Sequence, residues 1–142
     1  MFLEKCFTVD GPVEKQEVKV SASHNRVPLD KVKNLGDPSK GFDVGFPLWK
    51  KVEELRKSGD ISKSILLYDE ARESGYDAPG LYESYAMAYR KLKDYDNEIA
   101  ITGEAIGRLS GKPGVNGSKI VKWKERIRAA LDLRKNEMSK MN

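Results

Sequence analysis

The fold is decided by residues 46–109, which read FPLWKKVEELRKSGDISKSILLYDEARESGYDAPGLYESYAMAYRKLKDYDNEIAITGEAIGRL. Apolar residues recur there at intervals of three and four, as they do on one face of an α-helix. Leu48, Val52 and Leu55 form the first such face, and glycine or a lysine–aspartate pair interrupts the pattern between faces. The spacing therefore predicts four helices, over about 46–58, 61–74, 79–92 and 95–109.

A shift of 34 residues superposes the second pair of predicted helices on the first. The matched pairs are Leu48 with Tyr82, Val52 with Ala86, Leu55 with Tyr89, Asp60 with Asp94, Ile61 with Tyr95, Ile65 with Ile99 and Ala71 with Ala105. Each pair keeps its apolar, acidic or small character. The sequence therefore predicts a duplicated helical hairpin.

At these positions the sequence resembles the tetratricopeptide repeat (TPR) family, whose unit is a helix–turn–helix of 34 residues. The second unit follows the family pattern at Tyr82, Tyr85, Ala86, Tyr89, Leu92, Lys93, Asp94, Tyr95, Ile99 and Ala105. The resemblance covers residues 45–112, with a further helix at about 118–137 in the place of a capping helix. It implies an all-α, TPR-like superhelix of helical hairpins, with the helically spaced tyrosines in its core.

Three residues depart from the family pattern. Val52 stands where glycine or alanine is usual, Glu98 where alanine is commonest, and Thr102 where an aromatic residue is. These departures concern packing detail rather than the fold. The lysine and asparagine pattern with which chaperone-binding members clamp a carboxylate is not reproduced, so we do not expect that specialised role.

The resemblance also implies a concave peptide-binding groove. The groove positions correspond here to Phe46, Trp49, Glu53, Arg56, Lys57, Glu83, Met87, Arg90 and Lys91, and Lys124 extends the row from the last helix. Two cations end each groove helix, so we expect an acidic, partly apolar segment as ligand. Cations at a helix C-terminus also stabilise the helix dipole, and this second interpretation stays open. Trp49 is either a recognition residue or a packing residue.

Positive charge is concentrated at one end of the chain. The 142 residues carry a net charge of +4, and residues 111–142 hold nine lysines and arginines against three acidic residues. A basic end indicates an anionic partner, so a nucleic-acid-binding protein that uses the basic C-terminal helix is the alternative function. The helical positions divide these cations between two flanks, which weakens this alternative. No apolar run is long enough to predict a membrane span.

Residues 1–44 differ in pattern from the rest. Short apolar stretches flank Asp10-Gly11-Pro12, which predicts an extended N-terminal arm, with a β-hairpin as one form of it. Proline and glycine without a period predict a linker over 22–44. The predicted domains are thus an arm and linker at 1–44 and a helical domain at 45–142. Apolar residues in the arm predict that it packs on the body or on a second copy, giving a homo-oligomer.

The residue inventory offers little for catalysis. Cys6 is the single cysteine and His24 the single histidine, and no third group is placed to orient them. The glycine-rich loop at 111–117 lacks the spacing of a phosphate-binding loop. We therefore expect no enzyme activity, no metal and no cofactor. The sequence predicts a cytoplasmic scaffold module that binds a protein or peptide partner.

Overall fold

A computed structural model describes residues 26–140. A short 3-10 turn at Leu29–Lys31 is followed by five α-helices, which are α1 (Pro38–Ser58), α2 (Ile61–Glu73), α3 (Pro79–Lys91), α4 (Tyr95–Leu109) and α5 (Gly117–Lys140). This described part contains no strand, which confirms the all-α prediction for it. The predicted arm at residues 1–25, with its β-hairpin alternative, lies outside the described residues.

Each helix packs against the next one along the chain, from α1 to α5, in a repeat-like row. The core lies between these helices, and its largest apolar members include Ile65, Leu81 and Ile101. The tyrosines at positions 68, 82, 85, 89 and 95 are all buried, as predicted for core residues. The predicted limits of α2, α3 and α4 are correct to within one residue at each end.

The turns inside the two hairpins are built in the same way. Asp60 caps α2 by accepting a hydrogen bond from the backbone N–H of Lys63 at 3.1 Å. The equivalent residue, Asp94, caps α4 through the N–H of Asn97 at 3.2 Å. Both turns also need a left-handed residue, at Gly59 with φ 91° and at Lys93 with φ 60°. The 34-residue correspondence therefore extends to the capping atoms.

The predicted start of α1 near residue 46 is wrong, because the helix begins at Pro38. Asp37 is the N-cap, its carboxylate accepting from the N–H of Lys40 at 3.2 Å, and Pro38 occupies the first turn, where its missing N–H costs nothing. Pro47 therefore lies inside the helix. Because proline has no N–H, the carbonyl of Asp43 loses its helical hydrogen-bond donor. Both residues are exposed, so water can donate to that carbonyl instead.

Two glycines explain why the linker prediction failed. Gly41 and Gly45 are one helical turn apart and both are buried against the loop between α2 and α3. A Cβ on Gly41 would lie 2.6 Å from the carbonyl oxygen of Gly75, and one on Gly45 would lie 2.3 Å from Cβ of Tyr76. The glycines are thus a flat helix face that allows close packing, not breaks in the chain.

The segment before α1 also packs on the helices, although a linker was predicted there. Val32 is buried, and the N–H of Lys33 donates to the carbonyl of Glu73 at 3.1 Å. The Asn34 amide donates to the carbonyl of Ser74 at 2.9 Å. Residues 32–34 therefore cross the C-terminal end of α2 and satisfy two of its free carbonyl groups.

We predict that Gly45→Ala lowers the free energy of unfolding by about 1–3 kcal/mol, because the added methyl group has no room beside Tyr76. Gly103→Ala is the matched control. It lies within α4 with no atom near the added methyl group, so it should raise the free energy by about 0.5–1 kcal/mol. Urea denaturation measures both values, and shifts of the same sign would contradict the prediction.

We predict that Lys93→Gly raises the free energy of unfolding by about 0.5–1 kcal/mol, since glycine adopts the left-handed conformation without strain. The substitution also removes a 3.6 Å ion pair with Glu137, but Lys93 is exposed and Glu137 partly exposed, so the pair contributes little. Lys91→Gly, in the last turn of α3, should instead be destabilising. Thermal melts of the two variants should therefore shift in opposite directions.

Candidate binding surface

An aromatic cluster covers one side of α1. Phe42, Phe46 and Trp49 share a helix face and surround Tyr76 from the loop after α2. The rings of Phe42 and Phe46 are stacked with centroids 4.9 Å apart, and Phe46 and Trp49 are 6.0 Å apart. Tyr76 is buried, Phe46 and Trp49 are partly buried, and Phe42 is exposed. The cluster thus combines a core contact with an accessible apolar edge.

Trp49 joins α1 to the start of α3. Its ring lies against Gly80, where a Cβ would be 3.3 Å from Cζ2 of the indole. The indole N–H is buried and has no hydrogen-bond partner among residues 26–140. Packing between the two helices therefore accounts for most of the ring, while part of its surface stays accessible.

Arg56, a predicted groove cation, is held by its own helix. Its guanidinium binds the Glu53 carboxylate with a shortest distance of 3.0 Å, and Glu53 also accepts from the Tyr68 hydroxyl at 3.1 Å. The hydrogen bond and charge of Glu53 raise the pKa of Arg56. These predicted site residues thus neutralise each other.

Arg90, another predicted groove cation, binds a carboxylate in the protein interior. It contacts the carboxylate of Glu98 at 2.8 Å, and Arg126 of α5 binds the same carboxylate at 2.9 Å. The Glu98 side chain has no exposed surface. A buried carboxylate requires compensating charge, so the two arginines stabilise it while they join α3, α4 and α5.

Glu83 also forms its contacts within the protein. Its carboxylate accepts from the Lys119 ammonium and from the Trp123 indole of α5, both at 3.1 Å. Other predicted site residues stay on the surface: Lys57, Met87, Lys91 and Lys124 are exposed, and within the described range none of the three lysines has an ion pair. The open part of the predicted surface is therefore apolar and basic.

A buried polar network lies between α2, α3 and α4, and sequence reasoning missed it. Arg72, only 1% exposed, binds the Glu104 carboxylate through two hydrogen bonds of 2.7 Å. Tyr82 donates to the same carboxylate, and Arg108 donates to the Tyr82 hydroxyl at 3.1 Å. Burial alone would raise the pKa of Glu104, but the hydrogen bonds from Arg72 and Tyr82 hold that pKa below its ordinary value.

The network continues toward the start of the described chain. Tyr85 donates to the Asp69 carboxylate, and Arg26 donates to the Tyr89 hydroxyl and to Asn97, both at 3.3 Å. Burial raises the pKa of Asp69. In the sequence, Arg72 and Glu104 each stand beside a small inward residue, and their helices are equivalent in the two hairpins. This is the only signal of the ion pair that the sequence offers, and no sequence rule pairs the two residues.

A cleft of about 440 Å³ adjoins this network, lined by Arg26, Val27, Pro28, Leu29, Arg72, Asn97, Ala100 and Glu104. Of the residues that line it, Arg72 and Glu104 bind each other, and Arg26 donates to Asn97. Across residues 26–140 no three metal-binding side chains come together, and none of the five helices is long and apolar enough to cross a membrane. Cys6 and His24 lie outside the described residues.

Comparison with known proteins gives no match to a family model, to a curated protein or to a solved structure. We therefore infer function from the chemistry of the surface.

We predict that Glu104→Gln lowers the free energy of unfolding at pH 7 by about 2–4 kcal/mol, because Arg72 loses its buried counter-charge. The pKa of Glu104 is lowered by folding, so its contribution is fully present above the unfolded value of about 4.3. As the pH falls through the lower folded pKa, the difference between wild type and variant should shrink. Urea denaturation at several pH values measures it.

Glu125→Gln is the control for this experiment. Glu125 is exposed on α5 and has no ion pair in the part of the chain that is described. Its replacement should therefore change stability little at any pH. If Glu104→Gln lowered the free energy of unfolding by the same amount at every pH, this would contradict the role given to the buried ion pair.

Proposed function

We propose that this chain is a TPR-like protein-binding module that binds an acidic, partly apolar segment across α1 and α3. One observation carries the proposal. Lys57 and Lys91 lie in the last turns of these two helices, 34 residues apart, and both are exposed without an ion pair in the described region. Free cations at equivalent repeat positions fit a ligand with carboxylates along its length.

The helical hairpins support the TPR-like part of the proposal. The two turns share their aspartate caps and left-handed residues. Ala71, Ala86 and Ala105 are buried at the positions where the repeat pattern requires small residues for close helix approach. Val52, a departure from that pattern, is accommodated in the core with no exposed surface.

The aromatic cluster supports the apolar part of the ligand. Phe46 and Trp49 are partly buried on α1, and Met87 is 39% exposed on α3. Large, partly exposed apolar side chains are the usual anchors of peptide recognition. Lys50 lies 5.9 Å above the Phe46 ring and adds a further cation to this region.

The nine predicted site residues on α1 and α3 thus separate into two groups with different roles. Phe46, Trp49, Met87, Lys57 and Lys91 are proposed to contact the ligand. The remaining groove residues on α1 and α3 are Glu53, Arg56, Glu83 and Arg90, and their charges are paired within the protein. We propose that this second group shapes the surface and does not bind the ligand directly.

We predict that Lys57→Glu with Lys91→Glu weakens binding to immobilised acidic, partly apolar peptides by at least about tenfold, since two attractions become repulsions. A peptide array with matched peptides, in which lysine replaces each acidic residue, provides the probe. Met87→Ser should also weaken binding. Arg90 is left unchanged, because a carboxylate there would face the buried Glu98.

Lys63→Glu with Lys112→Glu is the matched control, because both lysines are exposed and the charge change is identical. This double variant should bind the acidic peptides at nearly wild-type strength. Equal losses in the two double variants would mean that only net charge matters. Binding of nucleic acid with a steep salt dependence, and no peptide binding, would favour the nucleic-acid alternative instead.

A further inference from the structure

We propose that the outward face of α5 is a second docking surface, which binds an acidic amphipathic helix of another protein. The face is defined by Val121, Lys124, Arg128, Leu131, Lys135 and Met138, called here the outer stripe. All six residues are exposed. The outer stripe lies on a different helix from Lys57 and Lys91, and it assigns Lys124, which was predicted to extend the groove, to this second surface.

The outer stripe has the spacing of a helix-packing seam. Its members follow one another at alternating intervals of three and four residues, which keeps them on one line along the helix. The line is about 25 Å long at 1.5 Å per residue. Its apolar members are unusually open for their size, with Val121 54%, Leu131 41% and Met138 61% exposed.

The charges of α5 differ between its two sides. Inward cations each bind a carboxylate of α3 or α4, and the pairs are Lys119 with Glu83, Arg126 with Glu98 and Arg134 with Asp96. In contrast, Lys124, Arg128 and Lys135 of the outer stripe have no ion pair within residues 26–140. These three charges alternate with apolar residues along the stripe, which favours a partner that offers both carboxylates and apolar side chains.

A second copy of this chain does not fit the outer stripe. Two stripes in antiparallel contact would place Lys124 against Lys135, and two in parallel contact would place each cation against itself. Like charges in such a seam oppose pairing. The repulsion therefore selects a different, acidic chain.

A membrane or nucleic acid fits less well than an acidic helix. A helix that lies on a membrane keeps its apolar residues together and its cations at the flanks, whereas the outer stripe interleaves the two. A phosphate backbone would leave Val121, Leu131 and Met138 without an apolar contact. A helix with apolar residues at three- and four-residue intervals and carboxylates beside them satisfies both sets of groups.

The test uses the full chain and a synthetic helical peptide about three heptads long, with leucine at the two seam positions and glutamate at the flanking positions. A peptide with lysine in place of glutamate is the paired probe. Fluorescence anisotropy should show binding of the acidic peptide and at least about tenfold weaker binding of the basic one. Amide chemical-shift changes should centre on residues 121–138.

Three single variants locate the contact. Leu131→Ser and Lys135→Glu should each weaken binding of the acidic peptide by about fivefold or more. Lys122→Glu is the matched control, since Lys122 is exposed and unpaired on the opposite flank of the described α5, and it should change Kd by less than about twofold. All three side chains are exposed, so the melting temperature of each variant should stay close to that of wild type.

Several outcomes would overturn the proposal. These are no binding of the acidic peptide, equal binding of the basic peptide, an equal loss in Lys122→Glu, or chemical-shift changes away from the outer stripe. A dimer that Lys135→Glu dissociates would assign the stripe to a second copy. Binding only to vesicles of anionic lipid, or only to duplex DNA, would assign it to those ligands. The Lys57→Glu with Lys91→Glu variant should bind this probe normally, which separates the two proposals.

Discussion

The buried carboxylate of Glu98 constrains much of the structure. A charge with no exposed surface needs a nearby counter-charge, and here Arg90 from α3 and Arg126 from α5 both bind the same carboxylate oxygen. The triad fixes the relative positions of three helices at one point. Arg126 lies on the inward side of α5 together with the buried Trp123 and Ala130, whereas Lys124, Arg128 and Lys135 are exposed.

The other side of the molecule depends on a second polar arrangement. Arg72 and Glu104 join α2 to α4, which are the equivalent helices of the two hairpins. The same arginine donates to the carbonyl of Val27 at 2.8 Å, so it also holds the chain that precedes α1. Charged pairs as well as apolar contacts thus connect the two hairpins, which gives their packing a defined register.

Local periodicity was enough to predict α2, α3 and α4, because caps and apolar spacing agree there. The start of α1 was mispredicted because Gly41 and Gly45 are typical of a linker by composition. Asp37-Pro38 is a recognisable helix start, but the close approach of Gly75 and Tyr76 that requires the glycines is not visible in sequence.

Within the candidate site, the resemblance predicted a set of groove positions but could not distinguish free charges from paired ones. Glu98 was visible as a departure from the family pattern, yet its partners are 8 residues before it and 28 residues after it in the chain. Arg90 was therefore predicted to be a groove cation, and only the tertiary contacts show that it binds Glu98. The 34-residue shift already pairs Lys57 with Lys91 in the sequence, whereas their exposure and their lack of an ion pair in the described region come from the structure.

The buried tyrosines have a consequence for behaviour in alkali. Burial raises the pKa of the phenols of Tyr68, Tyr82 and Tyr85, and the carboxylates beside them add to the effect. None of these hydroxyls can ionise in place without leaving a negative charge in the core next to Glu53, Glu104 or Asp69. Ionisation of these phenols is thus coupled to opening of the helical hairpins. We therefore expect strong base to unfold the protein by ionising groups in its core.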